Sequence, residues 1–133
     1  MITGKFPELR LRRSRKNDWS RRLVEENNLT PNDFILPIFL IDGKNKKQTI
    51  QSMPGVYRYS LDKISFVIDK AIRKGLPMIA LFPYTDIKKK NPLGTEALNE
   101  NNLVCKALKL IKNKYKNEIG IMCDVALDPY TSH

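Results

Sequence analysis

A chain of 133 residues with 24 Lys and Arg against 14 Asp and Glu carries a net charge of +10; it is one domain's worth of polypeptide, long enough for a real core. Its 41% apolar and 29% charged residues exclude a disordered or fibrous protein, and no stretch approaches the roughly 18 apolar residues that a membrane span needs. Met1 to Glu8 hold no apolar signal region, so the chain is expected in a reducing cytoplasm, with Cys105 and Cys123 as buried free thiols rather than a disulfide.

Residues 1–16 read as an extended basic arm, because Pro7 disfavours an early helix and the Leu9–Arg13 alternation is too short for a core strand. Asn17 or Asp18 can cap a short helix through Glu26, with Trp19, Leu23 and Val24 on one face. Such an arm has to lie on something, another subunit or the body of the domain. After a turn at Thr30–Asp33, residues 34–41 are apolar at every position, which suits a strand of a parallel sheet covered on both faces. Pro37 is its awkward member, since it has no N–H for a ladder.

Residues 48–59 suggest a small hairpin or an irregular excursion. Ser60 is a good N-cap for an amphipathic helix carrying Ile64, Val67, Ile68, Ala71 and Ile72, which Gly75 closes. Met78–Phe82 predicts a second buried strand ended by Pro83, and residues 84–101 a polar loop. A second amphipathic helix follows on Leu103, Ala107, Leu110 and Ile111, and Ile119–Cys123 leads into a third strand. The order β-α-β-α-β predicts parallel strands joined by helical crossovers. A doubly wound open sheet and a (β/α)8 barrel share that opening, and both place function at the carboxyl ends of their strands.

The basic charge invites a nucleic-acid reading. No RNP-type aromatic platform, zinc-finger spacing or helix-turn-helix signature accompanies it, and Lys and Asn are over-used along the whole chain. A self-contained basic α/β module binding nucleic acid stays as the alternative.

The residues with chemical promise gather at the end of the chain. Asp124, Ala126 and Asp128 lie at i, i+2 and i+4, so in a strand all of them point to one face. Carboxylates there could serve as base, charge stabiliser or metal ligand. Taken alone, the residues sit slightly better with a plainer account, in which Asp128-Pro129 opens a turn and Asp124 pairs with a lysine. His133 is the one imidazole and, as the last residue, suits a solvated end. One His and no close Cys pair cannot offer zinc a usual ligand set. The glycines form neither a dinucleotide nor a Walker pattern, and no organic cofactor is expected.

Ordered motifs along nearly the whole chain resemble the amino-terminal part of the delta-aminolevulinic acid dehydratase (porphobilinogen synthase) family. They are Arg10–Arg13, Trp19–Val24, Leu29–Phe39, Ser52-Met53-Pro54-Gly55-Val56-Tyr57-Arg58, Ala80–Pro83 and Asp124–His133. The resemblance implies a (β/α)8 TIM barrel, of which residues 1–29 are a subunit-contacting arm and residues 30–133 the first three βα units, ending at strand 3. A complete barrel needs roughly 250 residues, so the chain reads as the front piece of a longer enzyme. The implied reaction is that of a hydro-lyase, condensing two 5-aminolevulinate molecules into porphobilinogen with loss of two waters in tetrapyrrole (heme) biosynthesis.

Two Schiff-base lysines belong to later strands in that family, so this piece by itself is expected to be inactive and, with an open sheet edge, prone to aggregate. Asp124 and Ser132 match catalytic positions, and Asp128, Tyr130 and His133 a substrate-site rim. Zinc-dependent members carry cysteines where Ala126 and Asp128 stand here. A hard carboxylate in place of a soft thiolate fits magnesium, with Asp128 near a hydrated cation, or no catalytic metal. The resemblance also implies a homo-oligomer, an octamer, joined through the arm, with no nucleic-acid or membrane partner.

Overall fold

The computed structural model describes residues 4–132. Its centre is a five-stranded sheet in the order β2-β3-β1-β4-β5. Strands β1 (Ile35–Ile41), β4 (Met78–Tyr84) and β5 (Gly120–Cys123) run parallel. Helix α2 (Ile64–Arg73) crosses over from the β1 side to β4, and α3 (Leu103–Tyr115) from β4 to β5. The hairpin of β2 (Lys47–Thr49) and β3 (Tyr57–Tyr59) occupies the far edge, where β3 pairs with β1 in parallel.

The alternation of the strands sorts the sheet into two unlike faces. Ile38 and Leu40 of β1, Ile79 and Leu81 of β4 and Ile121 and Cys123 of β5 face the helices. They pack there with Ile64, Ile68 and Ala71 of α2 and Leu103, Ala107 and Ile111 of α3. Burying such side chains stabilises by roughly 1.5–3 kcal/mol each. The alternate residues Ile35, Phe82, Tyr84 and Met122 have no layer over them and are 38–50% exposed. Phe39 and Phe82, in register, stack on that open face with centroids 5.6 Å apart.

Gly75 ends α2 in the left-handed region at φ 75°. The N–H of Leu76 returns to Ala71 O and that of Gly75 to Ile72 O, the paired bonds of a glycine C-cap. Pro37 is tolerated because β3 meets β1 only at Phe39 and Leu40, leaving that flank of Pro37 without a ladder to break. Tyr115 joins the helices, its hydroxyl donating to Asp69 Oδ1 at 2.6 Å.

Several local expectations are corrected. Ser60 does not cap α2, which begins only at Ile64. Its buried hydroxyl accepts from Lys46 N–H at 2.9 Å and donates to Asp62 Oδ1 at 2.7 Å, fastening the hairpin instead. The amino-terminal helix α1 (Asp18–Leu23) stops short of Glu26, and Trp19, Leu23 and Val24, on its apolar side, are all exposed. Arg13–Arg15 form a 3-10 turn within the supposedly extended arm, and residues 1–3 lie outside the described part. Strand β4 runs on through Pro83 to Tyr84. Cys105 and Cys123 are free and half-buried rather than buried. No helix among the described residues is long and apolar enough to cross a membrane.

Candidate active site

Parallel strands deliver their following loops to one edge of the sheet, and here those loops are tied to each other. Lys89, in the loop after β4, reaches Asp42 at the end of β1, with Nζ 2.6 Å from Oδ2. Glu96 lies 3.9 Å from the same ammonium. The bond to Asp42 raises the Lys89 pKa above its ordinary value, against a smaller opposing effect of desolvation. Asn91, two residues on, fastens the loop after β5: its N–H donates to Tyr130 O at 3.3 Å and its carbonyl accepts from Ser132 N–H at 3.2 Å.

The Asn91 side chain shapes its own loop. Oδ1 accepts from the N–H groups of Leu93 (3.1 Å) and Thr95 (3.2 Å), and Nδ2 donates to Thr95 Oγ1 (2.5 Å). Gly94 follows at φ +61°, where a Cβ would stand 3.3 Å from Thr131 Cγ2. Glycine fits both the left-handed backbone and the close approach.

The segment after β5 departs from its sequence reading. The strand ends at Cys123, so Asp124, Ala126 and Asp128 do not share a strand face. Tyr130 N–H and Thr131 N–H both return to Leu127 O, at 2.8 and 3.1 Å. That turn contains Asp128-Pro129, and Pro129 has no N–H to continue a ladder. Asp128 is exposed, and its carbonyl accepts from Thr131 Oγ1 at 3.4 Å. Asp124 is the first residue past β5 and is exposed. Continuing the alternation of β5 by one residue puts it on the side of Met122, the helix-free side.

Neither Asp124 nor Asp128 has an ion pair to a described lysine or arginine. Ser132 is exposed and placed through its backbone. Tyr130 turns into a small crevice with Pro83, Lys89, Glu96 and Leu103. Burial, and after it the nearby Cys105, raises its pKa. Burial likewise raises the Cys123 thiol. The expectation for His133 lies outside the described residues.

Among the described residues no three His, Cys, Asp or Glu side chains come together. Ala126 offers no ligand, and the half-buried Cys123 belongs to the helix-facing side. The exposed Asp128 carboxylate fits a hard, largely hydrated cation, which needs only one or two carboxylates from the protein.

The comparisons with known proteins bear on this rim. The family model of delta-aminolevulinic acid dehydratase matches residues 8–133. The chain belongs to the delta-aminolevulinic acid dehydratase family. It is 54% identical over 125 residues to the delta-aminolevulinic acid dehydratase of Bradyrhizobium diazoefficiens, covering 94% of this chain and 35% of that protein. With that of Methanothermus sociabilis it shares 40% over 129 residues, covering 97% and 39%. A crystal structure of delta-aminolevulinic acid dehydratase (porphobilinogen synthase) from Toxoplasma gondii, in complex with the reaction product porphobilinogen, superposes with a TM-score of 0.82. That protein is 35% identical, and the match covers 93% of this chain and 35% of that one. The chain thus spans little more than a third of the length of these family members.

Sequence reasoning missed the Lys89–Asp42 bridge, the Asn91 hub and Arg58, whose guanidinium lies 4.4 Å from the centroid of the Tyr84 ring. Lys89 sits inside a lysine triplet 47 residues from its partner, and nothing in the spacing singles it out. Residues 84–101 were legible as a polar loop, though not as a tie to Ser132.

Proposed function

We propose that this chain supplies the arm and the first three strands of a (β/α)8 barrel that forms porphobilinogen from two molecules of 5-aminolevulinate, releasing two waters. One observation carries the reading: the family match over residues 8–133 falls on a sheet with both crossover helices on one face and an uncovered apolar other face. Doubly wound sheets place helices on both faces, whereas a barrel keeps them outside and fills its interior with the alternate side chains. The uncovered residues Phe39, Phe82 and Met122 then line the barrel interior, and Asp124 and Ser132 stand at its carboxyl-end mouth.

In that setting Asp124 holds or moves a proton on the bound substrate, and the Ser132 hydroxyl hydrogen-bonds it. Tyr130, half-buried in its crevice, anchors the rim. The amine nucleophiles of the family belong to strands beyond this segment. Asp128 is the residue to hold a hydrated magnesium ion, whose charge would favour a bound carboxylate or water. The exposed apolar side of the arm at Leu11, Trp19 and Leu23 supports a subunit contact, as in an octamer. A cytoplasmic location is part of the same proposal.

The test is colorimetric detection of porphobilinogen from 5-aminolevulinate. The whole enzyme containing this chain is expected to form it, Asp124→Asn to slow kcat by about 100-fold or more, and the 133-residue chain alone to form none. A whole enzyme that makes no porphobilinogen overturns the reading. Activity restored after chelation by zinc and not by magnesium overturns the metal assignment alone.

A further inference from the structure

Of the Lys88–Lys90 triplet, Lys89 is the member that forms ion pairs among the described residues. Its 3-10 turn, Ile87–Lys89, is closed by Asp86 Oδ1, which accepts from Lys88 N–H at 3.0 Å. From that turn the ammonium reaches Asp42, the first residue past β1, at 2.6 Å, and lies 3.9 Å from Glu96 Oε1. Glu96 is itself fixed to the start of α3. Asn99 Nδ2 donates to its Oε2 at 3.1 Å, and Asn102, the buried N-cap of α3, donates to its carbonyl at 3.4 Å. One ammonium thus joins the end of β1 to the start of α3.

The same three charged groups, Asp42, Lys89 and Glu96, form part of the wall of the crevice that Tyr130 enters. Two residues beyond Lys89, Asn91 holds Tyr130 O and Ser132 N–H through its backbone. The loop after β4 therefore seats the Ser132 segment twice, by a side chain among charges and by main-chain bonds. Among the described residues no other hydrogen bond or ion pair joins residues 85–95 to β1 or the turn after it. Without the Lys89 link the two loops keep their grip on each other and lose their anchor at β1. A misplacement of about 1 Å at a reacting centre can cost up to about 100-fold in rate. We propose that Lys89 is a positioning residue: pinned between Asp42 and Glu96, it sets where the Ser132 hydroxyl stands against bound substrate. This rests on the proposed function, in which Ser132 hydrogen-bonds the substrate.

The whole enzyme is assayed for porphobilinogen formation as wild type, Lys89→Met, Lys89→Arg and Asp42→Asn, each with Ser132 intact and as Ser132→Ala. The exposure of the pair limits the effect, so Lys89→Met is expected to lower kcat/KM by about 3- to 5-fold. Asp42→Asn, which breaks the link from its other side, should match that loss. Lys89→Arg keeps a cation for Asp42, should stay within about twofold of wild type, and guards against a folding defect in the methionine variant. In the Ser132→Ala background Lys89→Met is expected to change kcat/KM by less than about 1.5-fold, because its effect runs through that hydroxyl. A bridge that merely stabilises the fold would give the same factor in both backgrounds. An unchanged kcat/KM in Lys89→Met, or a loss that persists undiminished in Ser132→Ala, overturns the inference. An active wild type with either result leaves the proposed function standing; an inactive wild type removes both.

Discussion

Asn91→Ala removes one small side chain and is expected to loosen the candidate site from a distance. The amide makes bonds of 2.5, 3.1 and 3.2 Å to Thr95 and Leu93, which fix the backbone whose own N–H and carbonyl hold Tyr130 and Ser132. Each such bond contributes about 0.5–1.5 kcal/mol net, with the lower end apt for an exposed loop, so the group amounts to about 1–2 kcal/mol. Local opening should then expose the Ser132 N–H about 5- to 30-fold more often, read as faster amide hydrogen exchange by NMR. Asn91→Asp keeps the Oδ1 acceptor for both backbone donors and should restore most of the protection. Unchanged Ser132 exchange in Asn91→Ala, within about twofold, would show that the two loops are held by something other than this amide.

Two further outcomes test the frame around the site. Ile79, fully buried on β4 against both helices, should destabilise the chain by about 2–4 kcal/mol when cut to Ala; a urea-midpoint change worth less than about 1 kcal/mol would contradict the assigned core. The Lys89–Asp42 bridge has its amine pKa raised by the bond to Asp42. Its contribution is therefore complete below the ordinary lysine range and lost as pH climbs above about 10.5 through the folded value. With both side chains nearly half exposed, solvent screening limits this to a few tenths to about 1 kcal/mol. Lys89→Met should flatten that alkaline limb and its salt dependence in thermal melts; identical limbs for both proteins would count against the bridge.

The order of the elements was legible because it rests on local patterns. Period-3.6 apolar spacing placed α2 and α3, unbroken apolar runs placed β1 and β4, and Gly75 marked a helix end. Motifs at Ser52–Arg58 and Asp124–His133 carried the family. What misled was also local. Ser60 looks like a cap wherever it precedes a helical pattern, yet a buried hydroxyl goes to the strongest partners within reach, and these were Lys46 and Asp62. Asp124, Ala126 and Asp128 alternate as in a strand, but the turn onto Leu127 O and the pairing with Asn91 compete with the ladder and win.

The sequence by itself determined composition, element order and family, since these follow from residue types and from spacings of a few positions. Only the tertiary structure decided which face of the sheet stays open, that Lys89 answers Asp42, that Asn91 grips Ser132 and that Arg58 rests on Tyr84. Each of those relations joins residues tens of positions apart. Chain spacing does not encode them; they arise when parallel strands bring the ends of separate loops within hydrogen-bonding distance.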